Sequence, residues 1–320
     1  MALDLMPHLW TLSPGIRHAV RPGRAPESRP WETAVDDPQV GPVRLTGRLR
    51  ELPGDDLLVL VHGLGGSVDS HYMVRGAKAA EAAGLSCLRV NLRGADRGGD
   101  DYYHAGLTGD LHAALASPEA GRFRRIWMIG YSLGGHVVLR LATEPADPRL
   151  EAVAAVCAPV DLALSVVEID SPGFWLYRRY LLRSLSDIYR AVAARRPVHY
   201  PVDYPVEKLG EIRLIREWDD RIVAPRHGFA DAADYYARMS VAPRLPELRV
   251  PALLLNSECD SMVPARAVRP ALELESPNFR VDWVRGGHVA FPDTEVIEWL
   301  TSETDRPAAR SHPPAAGQGG

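Results

Sequence analysis

The residues in this chain that are best suited to chemistry form a pentapeptide near its middle. Gly130, Tyr131, Ser132, Leu133 and Gly134 give the pattern G-x-S-x-G. A short apolar run precedes the pentapeptide, and a segment of helical composition follows it. A sharp turn from strand to helix strains the serine backbone and exposes its hydroxyl, and the helix N-terminus favours negative charge. This context predicts that Ser132 is a nucleophile.

A serine hydroxyl is a poor nucleophile near neutral pH and needs a general base. One known order of such a triad along a chain is serine, acid, histidine. Asp260 and His288 each follow a predicted strand, and open parallel sheets place their sites at the carboxyl ends of strands. We therefore predict that His288 takes the proton of Ser132 and that Asp260 fixes the imidazole tautomer. Glu258 is the alternative acid.

The glycine-rich segment 62–66, HGLGG, follows the first strongly apolar run. Such a loop can direct a backbone N–H group into the site. We expect the N–H groups of Leu64 and Leu133 to form an oxyanion hole. A phosphate-binding loop is not favoured because no G-K-[ST] follows. His62 is expected to hold the loop through hydrogen bonds.

The remaining sequence gives no sign of a metal site or a cofactor. Six further histidines do not pair with carboxylates or cysteines at the spacings of metal ligands: His71, His104, His112, His136, His199 and His227. His288 and Asp293 form an H-x-x-x-x-D pattern that some acyltransferases use. The simpler interpretation is that Asp293 begins the last helix.

Composition excludes other classes of function. The 320 residues are 46% hydrophobic and 24% charged, as in ordinary globular proteins, and the net charge of −4 argues against nucleic-acid binding. Residues 1–10 do not resemble a secretory signal, and no apolar run is long enough to span a bilayer. Three scattered cysteines suit a reducing compartment, so we expect a cytoplasmic protein.

Short apolar runs alternate with segments of helical composition along the chain. The predicted strands are 57–61, 87–92, 126–129, 152–156, 252–255 and 279–284, with an earlier antiparallel strand at 43–49. The predicted helices are 73–83, 107–115, 133–142 and 295–300. This alternation predicts an α/β fold with a mostly parallel sheet flanked by helices.

The chain is predicted to contain one main domain with an insertion. Residues 1–30 are expected to be an irregular lead-in, 31–304 the α/β domain, and 305–320 a disordered tail. From about 161 to 248 the alternation stops, which predicts a helical cap. Five apolar residues in this insertion follow the spacing of an amphipathic helix: Tyr177, Leu181, Leu185, Ile188 and Val192.

We predict that this cap covers Ser132 and supplies an acyl pocket lined by Phe174, Trp175 and Tyr177. Six arginines against one aspartate give residues 171–200 a net charge of +5. That charge predicts contact with an anionic membrane surface, the alternative being a solvated face. The six are Arg178, Arg179, Arg183, Arg190, Arg195 and Arg196.

Together these motifs resemble the YheT-like branch of the α/β-hydrolase superfamily. This branch contains carboxylesterases and is related to eukaryotic lipid-acting abhydrolase-domain proteins and yeast ethyl-ester synthases. The matching segments are HGLGGS at 62–67, SHY at 70–72, NLRG at 91–94, YHAGLT at 103–108, GYSLGG at 130–135, EWDD at 217–220, AP at 224–225, HGF at 227–229, DYY at 234–236 and GGHV at 286–289.

The resemblance covers about residues 30–302 and implies an α/β-hydrolase fold with the triad Ser132, Asp260 and His288. It implies hydrolysis of small esters with short to medium acyl chains, without a cofactor. A lipid-acting acyltransferase or lipase with the same triad is the alternative, and a catalytically silent binding protein is a further one. The sequence departs from the branch at the acid, where Cys259-Asp260-Ser261 replaces D-D-P.

Overall fold

An eight-stranded sheet is the centre of the computed structural model, which describes residues 24–145, 147–195, 204–273, 278–291 and 293–304. Its strand order is β1-β2-β4-β3-β5-β6-β7-β8. The strands are β1 Arg29–Asp37, β2 Gly41–Arg50, β3 Asp56–Val61, β4 Ser86–Val90, β5 Arg125–Tyr131, β6 Leu150–Val156, β7 Ala252–Ser257 and β8 Phe279–Val284.

Only β2 runs against its neighbours: it pairs antiparallel with β1 and with β4. All other neighbouring pairs, from β4 through β3 to β8, are parallel. The carboxyl ends of these six strands therefore lie at one edge of the sheet. In the register, Val61 of β3 lies opposite Val90 of β4 and Gly130 of β5, so these three strands end almost level.

Helices cover both faces of the sheet. They are α1 His71–Ala82, α2 Gly109–Leu115, α3 Leu133–Thr143, α4 Leu162–Ile169, α5 Trp175–Arg195, α6 Ile215–Trp218, α7 Ala224–His227, α8 Ala232–Met239, α9 Ala265–Leu272 and α10 Asp293–Thr304. A π-helical turn, Asp219–Val223, joins α6 to α7. Short 3-10 turns are Ala120–Arg122, Pro172–Phe174, Val206–Glu211 and Ala242–Glu247.

The alternation of side chains along β3 divides the core into two layers. Leu58 and Leu60 pack with apolar residues of α1 and α10. Leu57 and Val59 point to the other face, where they join residues of α2, α3 and the insertion. Because both faces are covered, β3 is a continuous apolar run, as expected for a buried parallel strand.

The predicted α/β fold with a mostly parallel sheet is confirmed. The six predicted parallel strands are all present, and their ends shift by at most two residues. The sequence prediction missed β1, which begins at Arg29 and so overlaps the predicted lead-in, 1–30. Only Trp31 of this edge strand is fully buried, which leaves little apolar pattern to recognise. Residues 1–23 and the predicted tail, 305–320, lie outside the described residues.

The helices α4 to α8 lie between β6 and β7, where the sequence predicts the cap. The described residues between 161 and 248 contain no strand. The amphipathic spacing in α5 is confirmed, since its five predicted apolar residues are all buried: Tyr177, Leu181, Leu185, Ile188 and Val192.

A buried group of charges attaches the cap to the sheet. Arg93, just after β4, lies 2.8 Å from Asp37 and 2.9 Å from Asp101, and it donates to Asp110 of α2 at 2.7 Å. Arg226 of α7 donates to Asp101 at 2.9 Å and lies 3.2 Å from Asp37. Buried charges are tolerated when each is paired in this way. Arg93 belongs to the NLRG segment, so this segment takes part in the attachment of the cap.

The EWDD segment of the cap supplies hydrogen-bond acceptors where helices begin. Glu217 accepts from the backbone N–H groups of Arg213 and Leu214. Asp220 accepts from the N–H of Ala232 at the start of α8, at 2.7 Å. These carboxylates satisfy N–H groups that have no acceptor within their own helix. The segment therefore stabilises the cap's helix ends.

Asp219, the remaining carboxyl of this segment, is buried and accepts a hydrogen bond of 2.6 Å from the Tyr236 hydroxyl. Burial raises the pKa of Asp219 to about 7, helped by the nearby charges of Asp170 and Asp220 and opposed by the Tyr236 hydrogen bond. A carboxyl whose pKa is raised by folding favours the folded state at low pH. Its contribution is lost as the pH rises from the unfolded pKa towards the folded one.

We therefore expect the variant Asp219→Asn to gain stability relative to the wild type as the pH rises. An amide resembles the protonated carboxyl and does not ionise. Between pH 5 and pH 8 the difference in the free energy of unfolding should move by about 2–3 kcal/mol in favour of the variant. Urea unfolding at both pH values measures it, with the exposed-residue variant Asp187→Asn as control. A difference that is the same at both pH values would contradict the assignment.

Candidate active site

Ser132 occupies a sharp turn between β5 and α3. Its backbone has φ 53° and ψ −122°, a conformation that residues other than glycine rarely adopt. A Cβ atom at Gly130 would lie 2.3 Å from the carbonyl oxygen of Gly134, and one at Gly134 would lie 2.5 Å from that of His62. Both positions therefore require glycine, which accounts for the G-x-S-x-G pattern.

Asp260 and His288 lie in the loops after β7 and β8, and both are buried. The ring Nδ1 of His288 lies 2.7 Å from Oδ2 of Asp260. Oδ1 of Asp260 accepts from the backbone N–H groups of Met262 at 2.7 Å and Val263 at 2.8 Å. The carboxylate is therefore fixed by three hydrogen bonds. With this acceptor on Nδ1, the neutral imidazole carries its proton there and its lone pair on Nε2.

The alternative acid, Glu258, has a different partner. Its side chain is exposed and forms an ion pair with Arg269 at 2.6 Å. The structure brings Asp260, and not Glu258, to His288.

The glycine-rich loop after β3 lies against the serine. A Cβ atom at Gly63 would lie 2.9 Å from Cβ of Ser132. The N–H of Gly63 donates to the Tyr72 hydroxyl at 3.1 Å, and that of Gly65 donates to the Tyr103 hydroxyl at 2.7 Å. Two tyrosines therefore fix the loop on either side of Leu64.

The two backbone N–H groups predicted to form the oxyanion hole differ from those of Gly63 and Gly65, which donate to tyrosine hydroxyl groups. Among the hydrogen bonds of residues 24–145 and the other described ranges, none uses the backbone N–H of Leu64 or Leu133. Leu133 is the first residue of α3, where N–H groups have no acceptor within the helix. Neither N–H group is therefore engaged by an acceptor within the described residues.

His62 has the structural role that the sequence predicts. It is fully buried, its Nε2 accepts from the backbone N–H of Leu92 at 3.1 Å, and its Nδ1 lies 2.8 Å from the carbonyl oxygen of Gly63. Burial lowers the pKa of His62 to about 4, although the bond to Gly63 opposes the change. The ring is therefore neutral and ties the loop to the end of β4.

An ion pair that the sequence did not reveal supports the histidine loop. Arg75 of α1 lies 2.5 Å from Asp293 and donates to the carbonyl oxygen of Val289 at 2.8 Å. Asp293 also accepts from the Tyr131 hydroxyl at 2.8 Å. Tyr131, the residue before Ser132, and Val289, the residue after His288, are thus joined through the Asp293 carboxylate and the Arg75 guanidinium. Asp293 begins α10, as expected, and its two oxygens are engaged.

Cys157, the residue after β6, lies beside Asp260 and His288. Its backbone has φ 54°, and its Sγ and the ligand atoms of Asp260 and His288 lie within 4.8 Å of one another. Burial and the charge of Asp260 raise the pKa of this thiol well above its usual range. The thiol is therefore protonated and can donate to the carboxylate. A cysteine, a carboxylate and a histidine could also ligate a metal, but here two of the three already form the 2.7 Å hydrogen bond.

Helix α5 of the cap contacts two loops of this site. The Ser184 hydroxyl donates to the carbonyl oxygen of Gly65 at 2.8 Å, and the Ser261 hydroxyl lies 3.1 Å from that of Tyr177. One face of α5 therefore contacts both the glycine-rich loop and the acid loop.

The three residues predicted to line an acyl pocket have different environments. Tyr177 is buried on the inner face of α5, and Phe174 is partly buried against the core. Trp175 is 55% exposed. Trp175 thus differs from the other two in its exposure to solvent.

Comparison with known proteins agrees with this fold. Residues 58–299 match the family described as the alpha/beta hydrolase family. The chain belongs to this family. It is 32% identical over 265 residues to "Putative esterase YheT" of Escherichia coli (strain K12). The alignment covers 77% of this chain and 76% of that protein.

A more distant sequence relative and a solved structure also resemble this chain. The chain is 26% identical to "Medium-chain fatty acid ethyl ester synthase/esterase 2" of Saccharomyces cerevisiae, with 77% of this chain and 60% of the yeast protein covered. The esterase Pf2001 of Pyrococcus furiosus has a similar fold, with a TM-score of 0.55 and 18% identity over 87% of this chain and 91% of that chain. None of the described helices is both long enough and apolar enough to span a membrane.

Proposed function

We propose that this α/β-hydrolase is a serine carboxylic-ester hydrolase that forms an acyl-enzyme on Ser132. One observation carries the proposal. A serine held at positive φ, between a strand and a helix, shares a sheet edge with a histidine that is hydrogen-bonded to a buried aspartate. The esterase named among the relatives supports the same reaction class.

In the proposed mechanism, Nε2 of His288 takes the proton of Ser132 as Oγ attacks the ester carbonyl carbon. Asp260 stabilises the imidazolium that forms. The N–H groups of Leu64 and Leu133 donate to the oxyanion, which strengthens those hydrogen bonds in the transition state. The imidazolium then gives its proton to the departing alcohol. Water attacks the acyl-Ser132 with His288 as base, and the acid is released.

The proposed substrates are small esters with short to medium acyl chains. Phe174 and Tyr177 would contact the acyl chain beneath α5, and Trp175 would close the outer end of the pocket. The name of the yeast relative, which refers to medium-chain ethyl esters, supports this range. We also propose a cytoplasmic location, in keeping with three cysteines that are all free.

A second candidate function is acyl transfer to an alcohol or lipolysis by the same triad. It differs only in the molecule that attacks the acyl-enzyme, and the yeast relative's name includes both a synthase and an esterase. The H-x-x-x-x-D pattern adds no support, because the Asp293 carboxylate is engaged by Arg75 and Tyr131. A catalytically silent binding protein is the remaining alternative.

The variant Ser132→Ala tests the nucleophile. We expect kcat for a soluble ester to fall by about 10⁴–10⁶-fold, because triad members act as a unit. A fluorophosphonate probe should label the wild type and the control Ser67→Ala, but not Ser132→Ala. Labelling of the Ser132→Ala variant, or activity above about a tenth of the wild type, would show that another residue is the nucleophile. Absence of labelling in the wild type would support the silent binding protein.

The acid is tested by a matched pair of variants. Asp260→Asn should lower kcat by about 10⁴-fold, because the amide favours the wrong tautomer of His288. Glu258→Gln removes the charge of the neighbouring acid and should leave kcat nearly unchanged. Circular dichroism and thermal unfolding check that both variants fold. The reverse pattern of activities would mean that Glu258 is the acid.

The acyl pocket is tested with a series of esters of increasing acyl length. Trp175→Ala should raise KM more for longer chains than for acetyl esters, since each buried CH₂ contributes about 0.8 kcal/mol. The control Leu164→Ala changes another exposed apolar residue of the cap and should affect all lengths equally. If Trp175→Ala also changes KM by one factor at every length, the acyl chain lies elsewhere.

A further inference from the structure

Large apolar side chains are exposed in one region of the molecule. Among the described residues, every strongly exposed one belongs to the cap: Leu164, Val167, Trp175, Leu176, Tyr180 and Val206. Val167 is 69% exposed and Tyr180 is 64% exposed. Single exposed apolar residues are common on protein surfaces, but their concentration on consecutive helices is typical of an interaction site.

In the first half of α5, the exposed residues lie in two rows. Trp175, Arg179 and Arg183 are spaced by four residues, and so are Leu176 and Tyr180. All five are exposed. Helix α4, which packs against α5, adds Leu164 and Val167. We call these seven residues the outer cap face.

The structure shows that several of the arginines predicted to face a membrane already have partners. Arg190 pairs with Asp187, and Arg195 pairs with Asp100. Arg178 donates to three backbone carbonyl groups, those of Ile169, Ser171 and Arg213. Arg196 lies outside the described residues.

The two arginines of the outer cap face differ from the other described arginines of α5, which have charged or backbone partners. Arg179 and Arg183 have no ion-pair partner in the part of the chain that the structure describes. They stand beside apolar and aromatic side chains on the same face. Such a combination suits the boundary of a lipid bilayer, where apolar side chains insert and arginines contact phosphate groups.

We propose that the outer cap face docks on a membrane surface that contains anionic phospholipid. The charge of the face distinguishes this partner from a second copy of the chain. Two such faces in contact would oppose arginine to arginine, and the only acidic residue of α5, Asp187, is already paired with Arg190.

Docking by this face has a consequence for the active site. The inner face of α5 contacts the carbonyl of Gly65 and the hydroxyl of Ser261, beside the oxyanion loop and the acid. A bound membrane would therefore lie next to the cap over Ser132, and esters dissolved in the lipid would reach the site from that side. This consequence rests on the proposed function, whereas the docking itself does not.

Co-sedimentation with vesicles tests the docking without any measurement of activity. The full-length protein carrying Ser132→Ala is used so that lipid is not hydrolysed, with the wild type in parallel. We expect binding to vesicles of phosphatidylcholine mixed with phosphatidylglycerol, and little binding to phosphatidylcholine alone. Binding should weaken as salt is raised, because screening shortens the range of the attraction to about 3 Å at 1 M salt.

Two double variants test the two parts of the face. Arg179→Gln with Arg183→Gln should lower the partition coefficient by about 30-fold, since each arginine near an anionic surface contributes about 1 kcal/mol. Val167→Ser with Tyr180→Ser should lower it by about tenfold or more. The matched control, Arg48→Gln with Arg124→Gln, removes two exposed arginines outside the cap and should change binding less than about threefold.

Three results would overturn the proposal. They are no binding to the mixed vesicles, equal binding to both kinds of vesicle, and equal losses in the cap variants and the control. Size-exclusion chromatography adds a fourth: a dimer that dissociates in the Val167→Ser/Tyr180→Ser variant would make the face a self-association surface. Vesicle binding and esterase activity are measured separately. If Ser132→Ala loses activity but still binds vesicles, the docking and catalytic proposals are tested independently of each other.

Discussion

The backbone at Ser132 sets the constraint on which the rest of the site depends. A positive φ at a residue with a side chain is unfavourable and persists only where the surroundings enforce it. Here they do so by close packing: Gly134 lies against the carbonyl groups at the end of β3, and Gly130 lies against Gly134. Any Cβ atom at either glycine would push α3 away from the sheet. The position of the hydroxyl is therefore fixed by how closely a helix approaches two neighbouring strands.

The other groups of the site lie on loops, and polar side chains from distant segments hold those loops. Tyr72 and Tyr103 bind N–H groups on both sides of Leu64. Arg75 and Asp293 hold the loop that carries His288. Each contact satisfies a polar group that would otherwise be costly to bury, so loop geometry and polar satisfaction come from the same bonds. The segments that the resemblance singled out, such as SHY and YHAGLT, supply these tyrosines.

The sequence predicted the parts of the structure that depend on local patterns. Continuous apolar runs located the parallel strands, and strand ends located Ser132, Asp260 and His288. It did not predict the contact of Cys157 with Asp260 or the exposure of Trp175, because both depend on how distant segments pack. An apolar segment at the start of a helix, such as 174–177, looks the same in sequence whether its side chains face the core or the solvent.

The cap is attached to the rest of the fold at two places. At the first place, charged residues hold α7: its Arg226 lies between Asp101 and Asp37. A buried cluster of this kind fixes geometry through directional hydrogen bonds. At the second place, the Ser184 and Tyr177 hydroxyl groups of α5 contact Gly65 and Ser261, while apolar side chains of the same helix join the core. Because α5 is anchored by its buried inner face, its folding does not require the outer face. That face is thus free to carry apolar and cationic side chains that the core does not require.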